Sequence, residues 1–561
     1  MTNAVMSLQY AELLDVEVKR VLDIHAPLRT GRCHSGQHDN RRLSDEASGD
    51  TAGLAWSRTD YLSACSAARD CNLKSRADRV KSELDEVSGD ISERHRDCYT
   101  TTILRVVVYD RRLVYDDTEY AQLVSTFCKF FVDKVNRIRN NISEALQTSA
   151  SRVFAARPHR GPEISAFQPV TEHGVRRLLR SMPAKSSPLD VLPCSLLKTC
   201  TDVFAPAIAR LANLSLQTGV FPTRYKQAQV LPLLKKAGLD TSAPGNYRPI
   251  SNLATISKVL ERLVLARLHP HLLSSRNFGQ FQSAYRKQHS TETALLEVLD
   301  SVYAAADDKQ VTVLVGLDLS AAFDTVSHDT LLQRLQTEFG VTGTALSWLR
   351  SYLSGRSQFV KLGNYQSSAV SLSVGVPQGS VLGPILFAVY CSPVGDIIAQ
   401  HGVQYHQYAD DTQLHLAMRA DNTAAGLSVL AACTSDVRLW YMQNGLQLNP
   451  DKSEALIVGT SHQLRQVSPA VPSVTVADVD LPVAEQMKVL GVVLDRRLTF
   501  EKHATAVVKS CNYHAQAIRH IRHLLTPDLA QTLACSLILS RIDYCNALLH
   551  GTLAATIHKL Q

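Results

Sequence analysis

Tyr408-Ala409-Asp410-Asp411-Thr412-Gln413-Leu414 places two adjacent carboxylates where one alternating segment gives way to another. Residues 403–407 alternate apolar with polar side chains, and Leu414, His415 and Leu416 resume the alternation, as the two arms of a β-hairpin do. The acids then stand at the bend. A bend that offers two carboxylates can hold Mg²⁺, a hard cation that commonly binds one or two carboxylates together with substrate phosphates.

A bare pair of aspartates decides little, and the chain holds two look-alikes. Asp307-Asp308 lies in a polar stretch with Lys309 and Gln310, which reads as a solvated turn. Tyr115-Asp116-Asp117-Thr118 follows Arg111-Arg112 and opens the pattern Tyr120, Leu123, Val124, Phe127, Cys128, so it reads as a charged helix start. Asp410-Asp411 differs from both because of Asp318. Residues 311–317 form an apolar run with β-branched side chains, as a buried strand does. Asp318 stands at its end and is followed by Leu319-Ser320-Ala321-Ala322-Phe323-Asp324. Three carboxylates on two strands that can lie side by side suit two-metal phosphoryl transfer, in which ions about 3.5–4 Å apart activate the attacking hydroxyl and stabilise the leaving oxygen.

At 561 residues the chain is long enough for two or three domains and a large core. Its net charge of +7 favours a polyanionic partner without naming one. The twelve cysteines include no CxxC pair, which supports neither a disulfide scaffold nor a zinc knuckle. Reduced thiols in a nuclear or cytoplasmic compartment fit best. No apolar run reaches the roughly 18 residues of a membrane span, and the N-terminus lacks the apolar region of a signal peptide. A soluble intracellular protein is expected.

Residues 28–105 are rich in Arg, Asp, Ser and Cys without a sustained period, so disorder or a weakly packed appendage is expected there. Helical patterning follows over residues 118–146, carrying Lys129, Lys134, Arg137 and Arg139, and then a polar linker through residues 157–161. Val175, Leu178, Leu179 and Met182 have helical spacing, with Arg176, Arg177 and Arg180 on the other side; that basic face is either solvated or a contact for a phosphate backbone. A second helix is expected over residues 257–268, with Leu260, Leu263, Val264 and Arg267 on one side. Residues 370–390 contain a turn-rich loop and then an apolar helix-like run, and helical patterning returns from about residue 500.

These residues resemble the reverse transcriptases of non-LTR retrotransposons (LINE elements), close to the CR1, L2 and Jockey-like groups. The resemblance runs from about residue 167 to the chain end, with its motifs in the family's order. They are Gly245-Asn246-Tyr247-Arg248-Pro249-Ile250-Ser251, Phe278-Gly279 through Tyr285-Arg286-Lys287 to His289-Ser290-Thr291, and Leu317-Asp318 through Phe323-Asp324. Next come Gly375-Val376-Pro377-Gln378-Gly379-Ser380 with Leu382-Gly383-Pro384, the Tyr408 hairpin, and Leu448-Asn449-Pro450-Asp451-Lys452-Ser453-Glu454. Val489-Leu490-Gly491-Val492 to Asp495 closes the set.

The resemblance implies an α/β fold, an α+β palm within a right-hand reverse transcriptase, with fingers over about 165–300, palm over about 301–495 and a partial thumb beyond. The expected domains are an N-terminal spacer, partly disordered, over residues 1–160, a reverse transcriptase domain over 215–495 with a fingers extension from about 165, and a truncated thumb over 496–561. Residues 22–30 resemble the spacer that follows the family's endonuclease, residues 31–110 fit the family poorly, and too little chain precedes residue 160 for a complete endonuclease.

The resemblance also implies roles for single residues. Asp318 and Asp410 would be the principal ligands of two Mg²⁺ ions (or Mn²⁺), assisted by the carbonyl of Leu319 and the carboxylate of Asp411. Phe323 would be an aromatic gate against a ribonucleotide 2′-hydroxyl, its plainer reading being a core aromatic. Asp324 sits where RNA-copying RNA polymerases read that hydroxyl, so this rival stays open. Arg248 would hold the incoming triphosphate through its donor fork, with Arg286 a second candidate. Gln378 and Gly379 would let the backbone approach the nucleotide and templating base. Lys452 would be the general acid toward pyrophosphate, or else a solvated turn lysine. The implied activity is RNA-directed DNA polymerase, with an RNA template, a DNA primer and dNTPs as partners. The alternatives are a silent relic that only binds nucleic acid and, third, an RNA-dependent RNA polymerase.

Overall fold

A computed structural model of the protein describes residues 117–149, 152–236, 238–467 and 471–561. The readings made for residues 22–30, 28–105 and 31–110, and for Asp116, fall outside them. The described residues gather into two compact units, one of residues 117–506 with 545–561 and one of residues 507–544.

The strands of the first unit are β1 (Gln227–Leu234), β2 (Tyr247–Asn252), β3 (Gln310–Leu317), β4 (Leu319–Ser320), β5 (Arg356–Leu362), β6 (Tyr365–Gln366) and β7 (Val370–Leu372). They continue with β8 (Gln404–Tyr408), β9 (Asp411–Arg419), β10 (Gln447–Leu448), β11 (Glu454–Val458), β12 (Ser473–Val476), β13 (Val479–Ala484), β14 (Gln486–Val489) and β15 (Val492–Asp495). The larger sheet has the order β12-β13-β11-β3-β9-β8. Its central strand β3 is antiparallel to β9, with Leu317 opposite Thr412, and antiparallel to β11, with Gly316 opposite Glu454. Buried Val311, Val313 and Val315 supply the β-branched side chains that suit a strand covered on both faces. A smaller sheet runs β2-β1-β5-β6, with β7 also on β5. There β1 pairs with β5 in parallel, Gln229 opposite Phe359.

The apolar run after the Gly375–Ser380 loop becomes the helix Gly383–Cys391, in which all but Pro384 is buried; a helix apolar on every side belongs inside a core. It packs against the helix His328–Thr337. The neighbouring helix Gly343–Leu353 contributes Trp348 and Tyr352, which meet Phe221 edge-on at 5.3 Å each. Buried Arg334 ties three elements together. Its Nε donates to Glu338 Oε1 (3.1 Å), Nη2 donates to Asn444 Oδ1 (2.7 Å) and Nη1 donates to the Tyr390 carbonyl. Its guanidinium also lies over the Tyr390 and Trp440 rings.

The patterning over 118–146 forms one helix, Asp117–Thr148. At 32 residues it is roughly 48 Å long. Val124, Phe127, Cys128 and Phe131 pack on Val230 of β1 and Val360 of β5, while Ile138 and Ile142 pack on Met442. Each such buried side chain contributes about 1.5–3 kcal/mol. The polar segment after it is also packed. Arg152 pairs with Asp436, Arg157 pairs with Asp396, and Ile164 N–H donates to the Gly340 carbonyl at 2.9 Å. Gly340 has a φ of 63°, and a Cβ there would lie 2.3 Å from the His159 ring. The boundary expected at residue 160 therefore falls inside one compact unit.

Other expectations meet particular partners. Arg176 and Arg180 of the helix Glu172–Ser181 pair with Asp202, and Arg176 also with Glu172, so those two cations are matched by neighbouring acids. The helix expected over 257–268 runs longer, Thr255–Ser274. Its Leu260, Leu263 and Val264 are buried, but Arg267 turns to the carbonyls of Gln168 and Pro169. Asp307 ends the helix Thr291–Asp307 and Asp308 caps it, consistent with a turn. Asp117 begins its helix.

Candidate active site

The hairpin is tight. Tyr408 pairs with Asp411 across β8 and β9, leaving Ala409 and Asp410 as the turn, with Ala409 at a φ of 59°. Because Leu317 stands opposite Thr412, the next residues on each strand, Asp318 and Asp411, are brought beside one another at the same end of the sheet. The backbone of Asp318 is held from β10 and the turn after it. Asn449 N–H donates to the Asp318 carbonyl (2.8 Å), Asp318 N–H donates to Ser453 Oγ (3.5 Å), and Leu319 pairs with Leu448.

The acids feel one another. Burial, then the fields of Asp410 and Asp318, push Asp411 up to about 6. Burial also raises Asp410, against a hydrogen bond from its own backbone; Asp318 adds to the rise and Arg248 opposes it. Lys452, in the turn Pro450–Lys452, reaches Asp318 Oδ2 at 3.4 Å from a largely exposed position, where an ion pair contributes little to stability. Among the described residues no three Asp, Glu, His or Cys side chains close around a single ion position by themselves. The donor set still fits Mg²⁺: hard carboxylate oxygens that repel one another, with further positions left to water and substrate phosphates. A cavity of about 190 Å³ opens beside Asp318, Asp411 and Lys452 and reaches Met487 and Lys488 of β14.

The nucleotide-side residues lie on the neighbouring loops. Phe323 stacks on Phe387 with centroids 4.6 Å apart and planes at 22°, so it is a core aromatic on one face while remaining part-exposed. Asp324 accepts from Gln378 Nε2 at 3.0 and 3.1 Å, and burial pushes it up to about 6. The loop holding Gln378 and Gly379 is stitched to β2, where Ser251 N–H donates to the Gln378 carbonyl (2.8 Å). Gly379 has a φ of 113°, and a Cβ there would stand 2.5 Å from the Ser251 carbonyl oxygen; only glycine permits this approach. Beyond the loop, fully buried Glu261 accepts from Val381 N–H (2.7 Å) and Leu382 N–H (3.1 Å), a carboxylate at the start of the helix Gly383–Cys391.

Arg248 is exposed on β2. Arg286 is not brought to it; its Nη1 donates to the Gln280 carbonyl (2.9 Å) and the Gln282 carbonyl (3.3 Å). A residue without an expected role, Lys235, stands closer to the chemistry. It follows β1, and its Nζ donates to the Gly245 carbonyl at 2.6 Å. Its pKa is lowered by burial and by the fields of Lys134, Lys452 and Arg248, while Asp318 opposes the shift. Lys235, Arg248 and Lys452 thus share the surroundings of the acids. The signal was present as Leu233-Leu234-Lys235-Lys236, an apolar strand ending in lysines, but only the pairing of β1 with β2 sets it beside Arg248.

Residues 234–494 match the family profile described as reverse transcriptase (RNA-dependent DNA polymerase). This stretch is a reverse transcriptase domain. It contains every expected site residue and Lys235. The chain is 31% identical over 364 residues to a probable RNA-directed DNA polymerase from transposon BS of Drosophila melanogaster, which covers 63% of this chain and 39% of that protein. It is 27% identical over 389 residues to the RNA-directed DNA polymerase from mobile element jockey of the same organism, covering 68% and 41%. A probable RNA-directed DNA polymerase from transposon X-element is 30% identical over 347 residues, covering 61% and 37%. The matched stretch is thus about two fifths of the length of these relatives. The similarity is to non-LTR retrotransposon enzymes. No helix among the described residues is long and apolar enough to cross a membrane.

Proposed function

We propose that this protein is an RNA-directed DNA polymerase that adds dNMP units to a primer 3′-end on an RNA template. The observation that carries this is the convergence of Asp318 with Asp410 and Asp411 at one end of the sheet, inside a reverse transcriptase domain. The larger sheet would be the palm, the smaller sheet the fingers, and the residues after 496 the start of a thumb. Asp318 and Asp410 would hold two Mg²⁺ ions, with Asp411 and the Leu319 carbonyl assisting. Bound there, the ions would supply activation of the primer hydroxyl and charge stabilisation for the leaving pyrophosphate.

The chain's own groups do the rest. Arg248 and Lys235 receive the triphosphate, and Gln378 and Gly379 shape the seat of the nucleotide. Lys452 Nζ gives a proton to the departing pyrophosphate oxygen. The exposed edge of Phe323, fixed from behind by Phe387, leaves no room for a ribose 2′-hydroxyl. Asp324 directs both carboxylate oxygens at Gln378, which favours a supporting role over reading a ribose. Template, primer and dNTPs are the partners. Cys128, Cys194, Cys391 and Cys433 are buried free thiols, which suits a reducing intracellular compartment.

Primer extension tests the reading. With a poly(rA) template, an oligo(dT) primer, dTTP and Mg²⁺, the full chain extends the primer and Asp410→Asn does not. Wild-type protein that retards the primer in a gel but leaves it unextended would show a nucleic-acid-binding protein instead.

A further inference from the structure

The turn that carries the acids is not built to hold its own shape. Ala409 sits in the left-handed region, which an L side chain with a Cβ rarely adopts and which persists where surrounding structure enforces it. The enforcing group is one side chain from residues 281–283. Gln282 is 1% exposed. Its Oε1 accepts from Ala409 N–H at 2.9 Å and its Nε2 donates to the Ala409 carbonyl at 3.1 Å. A third bond, from Ala284 N–H to the same Oε1 (3.0 Å), fixes which end of the amide is oxygen, because two donors converge on it.

The backbone around Gln282 reinforces the clasp. β8 is the edge strand of its sheet, and Gln282 bridges to Gln407 of that strand in parallel. Gln407 N–H donates to the Phe281 carbonyl and Ser283 N–H donates to the Gln407 carbonyl, each at 2.9 Å. Ser283 Oγ lies 2.9 Å from His406 Nε2. The clasp is thus anchored on the strand that leads into the turn.

We propose that Gln282 is a positioning residue: its carboxamide holds Ala409 in the turn that aims Asp410 and Asp411, and so sets divalent-metal affinity and the rate of nucleotidyl transfer, not nucleotide binding. This rests on the polymerase reading above. The nucleotide-side residues stand elsewhere, Arg248 on β2 and Gln378 and Phe323 on other loops, so loss of the clasp leaves dNTP recognition in place.

The test uses the full chain on its template–primer. Gln282→Met keeps the length and removes both bonds to Ala409; Gln282→Glu keeps the acceptor and loses the donor. Mn²⁺ binding followed by electron paramagnetic resonance needs no turnover. It is expected to weaken by about tenfold in Gln282→Met, as when a group orienting a metal ligand is lost. In steady-state extension kcat falls about 10- to 100-fold, the cost of misplacing a reacting group by about an ångström. The dNTP KM stays within about threefold, and added Mg²⁺ recovers part of the rate. In an Ala409→Gly background, where the left-handed turn forms without help, the loss on Gln282→Met shrinks. Unchanged Mn²⁺ affinity and kcat, a defect in KM alone, or the same loss in the Ala409→Gly background overturns the proposal. If Gln282→Met does not fold, Gln282→Glu decides on the same readouts. A wild-type chain that fails to extend the primer while Gln282→Met weakens Mn²⁺ binding sinks the polymerase reading and leaves the clasp. Normal extension with no effect of either variant does the reverse.

Discussion

Phe323 and Asp324 are adjacent in sequence but do different work. Phe323 is backed by Phe387 and cannot retreat, so Phe323→Val is expected to lower the preference for dTTP over UTP by at least about tenfold, read from paired extension rates. Asp324 is raised to about 6 by burial, so the fold prefers its protonated form. Its contribution to stability is present below the ordinary carboxylate pKa and is lost as pH rises through about 6. Asp324→Asn removes that dependence. Melting curves between pH 4 and 8 should show the variant gaining on wild type as pH rises, by about 2 °C or more at pH 7.5, with no further gain above pH 7. The acids at 318, 410 and 411 were legible in the sequence because strand patterning and the turn put them at chain positions where a sheet collects its ends. The pairing of Asp324 with Gln378 was not, because 54 positions separate them and nothing local marks either side chain as the other's partner.

Elements are held by buried polar groups that periodicity does not reveal. Arg334 looks like any charged residue of an amphipathic helix, yet it joins the helix His328–Thr337 to the end of Gly383–Cys391 and to Asn444. Arg334→Met leaves Glu338 and the Tyr390 carbonyl without their donor, and breaking a buried pair of this kind costs roughly 3–5 kcal/mol. Urea unfolding of the two chains should show that difference as a lower midpoint. β3 could be read from its apolar β-branched run, the hairpin from alternation and the helix Asp117–Thr148 from 3.6-residue spacing. The smaller sheet could not be assembled that way, since β1 and β5 pair in parallel across more than a hundred residues. Its closure depends on packing between distant segments, while Lys235 gains its place from the pairing of β1 with β2.

Across the whole first unit the N-terminal segment is a brace. The stripe from Val124 to Ile142 covers part of the smaller sheet at one end and Met442 at the other, and residues 152–165 continue along Asp436, Asp396 and Gly340. Composition reads residues 157–161 as a linker because their side chains are mostly polar, and the ion pairs of Arg152 and Arg157 join this segment to acids far along the chain. A chain beginning at residue 167 is expected to melt at least about 5 °C lower than one beginning at residue 114, through loss of buried aromatic area; equal melting temperatures would refute the brace. A different kind of economy lies within residues 257–283. Glu261 steadies the chain just past the Gln378 loop, and Gln282, a short distance further on, clasps the Ala409 turn. In genetic terms this stretch carries two separable loci: a missense change at Glu261 disturbs the nucleotide-side loop, whereas one at Gln282 disturbs the metal-side turn.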